Sequence, residues 1–170
     1  VKIMGALGVV FVGLVLATVL GGAALPATRQ GAVTRSLDAE PGLVRRTMLD
    51  AASQPTWRAT VAAVEHPTAE GWTELTHDGE RVSFRVLQNT GEALHLTFES
   101  SRGYVGRFTA TFVRTASGGT TLTVQEEATT PSPFGRIASR LFFDPEAFAA
   151  AYLDELAREV EKRRARRGGE

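Results

Sequence analysis

The sequence predicts an α+β fold: a curved antiparallel sheet of about seven strands wrapped around a long C-terminal helix, preceded by an N-terminal transmembrane helix. Three observations carry this expectation. Segments of alternating apolar and polar residues, separated by turn residues, fill the middle of the chain. Near its end Phe148, Tyr152, Leu156 and Val160 recur at four-residue steps, the stripe of an amphipathic helix. At its start Ile3 to Leu25 carries no charge.

That first run holds 17 apolar residues, five glycines and Thr18. As a helix it would reach roughly 35 Å, against about 30 Å of bilayer hydrocarbon. A core helix of this length would carry a polar stripe, and none is present. Pro26 ends the run. Residues 1–27 are therefore read as an anchor or a signal segment. Gly22-Ala23-Ala24 suits a signal peptidase, whereas the length of the apolar run favours a retained single-pass anchor. Lys2 favours an inside N-terminus and an extracytoplasmic domain, although Arg29 and Arg35 pull the other way.

Residues 29–37 place Val33, Arg35 and Leu37 on one face of a first strand. Asp38, Glu40 and Pro41 then open a helix, with acids near its positive end and proline in its first turn. Leu43, Val44, Thr47 and Met48 continue that helix, and Pro55 and Trp57 mark a second short turn. Val61 to Glu65 is a short strand. Trp72 to His77 leads into Asp78-Gly79, a two-residue hairpin signal. Val82, Phe84 and Val86 alternate in the next strand, and Leu94, Leu96 and Phe98 in the one after. Phe108, Ala110 and Phe112 share a face, as do Leu122, Val124 and Glu126 in the last strand. A helix over Phe134–Phe143 has Ile137, Leu141 and Phe142 as its apolar side. Asp144 then caps the long final helix, with Pro145 at its first position.

Composition excludes several classes. The chain has no cysteine, so it has no disulfide, thiol nucleophile or Cys-based metal site. Its net charge is zero, but the neutrality is a cancellation. Residues 26–157 carry 12 basic and 16 acidic side chains, whereas residues 158–170 carry six basic and three acidic. Such a balance argues against a nucleic-acid partner. His66, His77 and His95 lack metal-ligand spacing, so no metal is expected. No nucleophile elbow, phosphate loop or dinucleotide fingerprint is present, and no cofactor is implied. The basic run Lys162 to Arg167 reads as helix-dipole complementation and solubility, or as a contact for anionic lipid.

The stretches LDAEPGLVRRTMLDAASQPTWRATVAAVE, GWTELTHDGERVSFRV, GYVGRFTATF and GGTTLTVQEEATTPSPFGRIASRLFF resemble the START-like helix-grip superfamily (SRPBCC), which includes polyketide cyclases and birch-pollen-allergen-like proteins. Arg45-Arg46 stands where that pattern usually carries an aromatic residue. Thr-x-Glu before a Pro-x-Phe-x-Arg helix start is similar to a bacterial, polyketide cyclase/dehydrase-like branch with an N-terminal membrane segment. The resemblance spans residues 29 to 165 and implies a helix-grip domain over residues 28–167, with residues 158–170 as the basic end of its last helix. It implies a hydrophobic cavity rather than one reaction.

Trp57, Trp72, Phe84, Phe98, Phe108, Phe112, Val124 and Tyr152 are the candidate ligand-binding residues, and equally the makings of an ordinary core. Glu126 and Glu74 are the catalytic candidates, because alternation turns both toward apolar neighbours and burial would raise their pKa. Arg136 or Arg140 would be the structural partner of Glu126. The expected function is a membrane-tethered, non-catalytic binding protein for a hydrophobic small molecule or lipid, held to the membrane through Ile3 to Leu25. The alternative is a cyclase or dehydratase using a cavity carboxylate as general acid or base. A protein-interaction domain would need a large exposed apolar patch, and no stretch of the sequence predicts one.

Overall fold

The computed structural model describes residues 18–168, so the expected anchor lies outside the described residues as far as residue 17. Its last part, residues 18–24, is helical. Among the described residues no helix is long and apolar enough to cross a membrane.

Strand β1 (Thr28–Leu37) is followed by helix α1 (Pro41–Leu49), a 3₁₀ turn (Ala51–Thr56) and β2 (Val61–Glu65). A meander follows: β3 (Gly71–Thr76), β4 (Arg81–Asn89), β5 (Ala93–Ser100), β6 (Val105–Arg114) and β7 (Thr120–Thr129). Helices α2 (Pro133–Phe142) and α3 (Pro145–Gly168) end the chain. The seven strands form one antiparallel sheet in the order β1-β7-β6-β5-β4-β3-β2. Each meander strand pairs with its neighbour in sequence, and β1 returns to pair with β7, leaving β1 and β2 as the edges.

Alternation sets which side chains face inward. Val33, Val124, Ala110 and Leu94 lie in register across four strands, and the latter three are buried. One face of the sheet is therefore apolar and needs a cover. Helix α3 supplies it with Ala149, Leu153, Leu156 and Val160, all nearly inaccessible to solvent, while Leu43, Val44 and Met48 of α1 close the side. Burying each such leucine contributes about 2 kcal/mol. Asp144 caps α3 as the sequence predicts, its Oδ1 accepting from the amides of Glu146 (3.0 Å) and Ala147 (3.2 Å). The helix starts directly over β1: a Cβ at Gly31 would lie 2.8 Å from Pro145, so only glycine admits this crossing. Gly79 takes the positive φ of 84° that the hairpin requires.

Polar side chains depart from expectation more often than apolar ones. Glu40 does not cap α1; its carboxylate turns to Arg46 at 3.0 Å. Arg45 donates to Asn89 Oδ1 at 2.8 Å, so Arg45 and Arg46 both sit in surface contacts. Arg35, inward on β1, pairs with Asp154 of α3. The basic end of α3 is not wholly a free solvated face. Arg163 bridges Asp50 (2.9 Å) and Glu159 (2.8 Å), and Arg164 pairs with Asp38.

The expected orientation of α2 is reversed. Its apolar side is exposed, with Phe134 at 52%, Leu141 at 69% and Phe142 at 84%, and none of its residues is buried. Its polar side faces the protein. Arg136 donates to the carbonyls of Thr130, Pro131, Ala23 and Leu25, and so is not the partner of Glu126. Arg140 is exposed. The apolar patch that no stretch of sequence predicted is thus on this helix.

Candidate ligand cavity

Between the sheet and the first turns of α3 lies a cavity of about 420 Å³. The helix carries alanine over this part of the sheet, and Ala149 lines the cavity. Beyond Phe148 and Tyr152, which also line the cavity, Leu153, Leu156 and Val160 fill the closed core. Space is left because a small residue stands opposite inward-facing aromatics.

Those aromatics form a continuous wall. Trp72 stacks on Phe84 with centroids 5.2 Å apart, Phe84 meets Phe98 at 5.8 Å, and Phe98 meets Tyr104 at 6.2 Å. Their order follows the register, in which Trp72, Phe84 and Phe98 stand opposite one another on β3, β4 and β5. Phe108 of β6 and Tyr152 form a T-shaped pair with centroids 5.8 Å apart. Phe143 and Phe148, 5.5 Å apart, close the corner between α2 and α3.

One end of the cavity is polar. Arg58 Nη1 donates to Glu74 Oε1 and to Gln54 Oε1, both at 2.6 Å. Trp72 Nε1 donates to the same Glu74 oxygen at 3.0 Å. Gln54 is fixed in turn by donating to the Met48 carbonyl at 3.2 Å. The guanidinium lies 5.3 Å from the Tyr152 ring centroid, over its face. Arg58 Nε is enclosed with no hydrogen-bond partner.

Glu126 stands opposite Phe108 in the β6–β7 register and lines the cavity. Burial pushes its carboxyl up to about 7; nearby Arg58 pulls it down and Glu74 pushes it further up. Glu74 carries the ion pair that Glu126 lacks. Burial also raises the Tyr152 hydroxyl. A second polar group lies near the β3–β4 hairpin, where Ser100 donates to Glu80 and Arg102 Nη1 approaches Glu80 at 3.3 Å. Tyr104 beside it is raised by burial and by its hydrogen bond to Glu80.

Of the residues singled out from sequence, Glu74, Glu126, Trp72, Phe84, Phe98, Phe108 and Tyr152 line the cavity. Trp57, Phe112 and Val124 do not. Phe112 and Val124 belong to the closed core beneath α1 and α3, because their register positions lie further along the strands. Trp57 stands behind Tyr152, at 6.1 Å, with its Nε1 donating to Ser53 Oγ at 3.3 Å. Sequence reasoning missed Arg58, Gln54, Glu80 and Tyr104. Glu80 carries a readable signal, because it extends the Val82–Phe84–Val86 alternation by one step. Gln54 sits in the 3₁₀ turn and Arg58 in the loop after it, where no periodicity applies.

No family model matches the chain, and no curated protein matches it. Solved structures do. A START superfamily protein from Mycobacterium smegmatis superposes with a TM-score of 0.59 at 10% identity, covering 78% of this chain and 97% of that one. A Thalictrum norcoclaurine synthase gives 0.64 at 12% identity over 81% and 96%. An aromatase/cyclase from a Streptomyces species gives 0.64 at 11% identity over 80% and 95%. The fold is the START-like helix grip that the sequence resembles. Among the described residues no group of three or more His, Cys, Asp or Glu side chains is placed to hold a metal.

Proposed function

We propose that the protein binds a hydrophobic small molecule or lipid in this cavity, tethered to a membrane through Ile3 to Leu25. The observation that carries the reading is the cavity itself, an aromatic wall closed at one end by Arg58, Glu74 and Glu126. Such an interior suits a ligand that is mostly apolar with one polar group to be oriented. Residence near a bilayer, where such molecules partition, fits a tether on the same chain. The test is to purify the full chain in lipid nanodiscs and identify by mass spectrometry what co-extracts with it beyond the nanodisc lipid. Nothing bound, together with no energy transfer from the tryptophans to an anilinonaphthalene probe, would overturn it.

A second reading rests on Glu126. Its carboxyl lines an apolar cavity with a pKa of about 7, which suits proton transfer at neutral pH. A cyclase or dehydratase needs little more than this and a shaped space. Glu74 is the weaker candidate, since its carboxylate is committed to Arg58 and Trp72. Turnover of a polyketide-like substrate that is lost in Glu126→Gln, with binding retained, would favour the enzyme over the binding protein.

A further inference from the structure

Helix α2 is amphipathic in the wrong direction for a core helix. At 100° per residue Phe134, Ile137, Ala138, Leu141 and Phe142 fall on one arc, and Arg136 and Ser139 on the other. The polar arc is the one held to the protein. Arg136 donates to four backbone carbonyls, and Arg29 donates to the carbonyls of Ser139 and Phe143. The orientation is therefore enforced at both ends of the helix, and the apolar arc points outward.

What covers that arc follows from where the uncharged run ends. Ala23 and Leu25, its last residues but for Ala24 between them, give their carbonyls to Arg136 at 3.2 Å. Gly22 lies so close to Pro133 that a Cβ there would stand 2.3 Å from the Pro133 carbonyl oxygen. Leu20 is 68% exposed beside them. The run long enough to cross a bilayer thus joins the domain against α2. A membrane that takes up the run brings its interface to this helix. Arg140, exposed at the flank of the arc, suits the headgroup layer.

We propose that α2 docks on the bilayer, with Phe134, Leu141 and Phe142 sunk among the upper acyl chains and the Phe143–Phe148 corner of the cavity held at the lipid surface. The proposal rests on the membrane-tethered reading above. It gives the cavity a ligand path from the bilayer that does not cross water.

The chain has no cysteine, so single labels are unambiguous. Three full-chain variants, Phe142→Cys, Leu14→Cys and Val113→Cys, are labelled with an environment-sensitive fluorophore and reconstituted in phosphatidylcholine/phosphatidylglycerol vesicles. Val113 is the reference: it is exposed, and it lies toward the opposite end of β6 from the β1 and β7 ends near α2. Quenching by lipid-borne doxyl groups is expected at positions 14 and 142, at 142 about threefold above position 113. Quenching at 14 with position 142 no different from 113 overturns the docking and leaves the tether standing. No quenching at 14 or 142 removes both. A blue-shifted but unquenched label at 142 means that protein covers the arc, either a second copy or the first residues of this chain, and also overturns the docking.

Discussion

Arg58 and Glu74 meet at 2.6 Å with less than a tenth of either side chain exposed. Two charges at this depth are stable only as a pair, since each would otherwise be desolvated without compensation. Gln54 and Trp72 complete the hydrogen bonding, and the Tyr152 ring covers the cation. The pair therefore acts as a rigid polar floor to an otherwise apolar cavity.

Breaking it from one side should be costly. Arg58→Met leaves a buried carboxylate and is expected to lower unfolding free energy by about 3–5 kcal/mol. Adding Glu74→Leu removes the stranded charge and should recover most of that loss. Urea titration of the wild type, the single variant and the double variant measures it. A double variant as unstable as the single one would mean that packing, not charge, sets the cost.

Glu126 should make stability depend on pH. Its folded pKa of about 7 lies above the ordinary 4.5, so between those values the folded state holds a proton that the unfolded state has released. Stability from this group is full below pH 4.5 and is lost as pH rises through 7. The span corresponds to a change on the order of 3 kcal/mol. Glu126→Gln cannot ionise, so its stability relative to wild type should rise across this interval. Denaturation midpoints at pH 4.5, 6 and 8 give the difference, and a flat difference refutes the assignment.

Asp144 caps α3 at the point where the helix meets both β1 and the cavity corner. Asp144→Ala removes the acceptor for two amides and should cost about 1 kcal/mol. Asp144→Asn keeps an acceptor and should cost less. Thermal unfolding of the two variants separates capping from simple loss of surface charge.

The sheet was legible because its period is short and repeated. Val82–Phe84–Val86 and Leu94–Leu96–Phe98 each decide a strand and a face without outside help, and the Asp78-Gly79 turn fixes how the first hairpin closes. Glu74 and Glu126 were found in the same way, since alternation turns a carboxylate inward as surely as a leucine. Arg58 was not found, because its position depends on a 3₁₀ turn and on a partner sixteen residues away. Alternation also says nothing of depth along a strand: Phe108 lines the cavity, while Phe112 on the same face is closed core. For α2 the periodicity was right and its direction wrong. Which arc faces the protein is decided by carbonyls of Thr130, Pro131, Ala23 and Leu25 that only the folded chain brings to Arg136.

Ala149 offers a direct test of whether the cavity is functional space. It is 1% exposed and lines the cavity where α3 faces the aromatic wall. Ala149→Phe would project a ring into empty volume, replacing cavity with buried apolar surface instead of forcing packed neighbours apart. Unfolding free energy is then expected to change by less than about 1.5 kcal/mol, while uptake of an apolar probe falls at least about tenfold. Leu156→Ala is the opposite case. Leu156 is fully buried in the closed core, and its truncation should cost about 2–5 kcal/mol without changing the cavity wall. Probe titration and urea denaturation on both variants distinguish a site from a packing defect. Equal loss of probe uptake in the two would mean that binding follows stability and not the shape of the cavity.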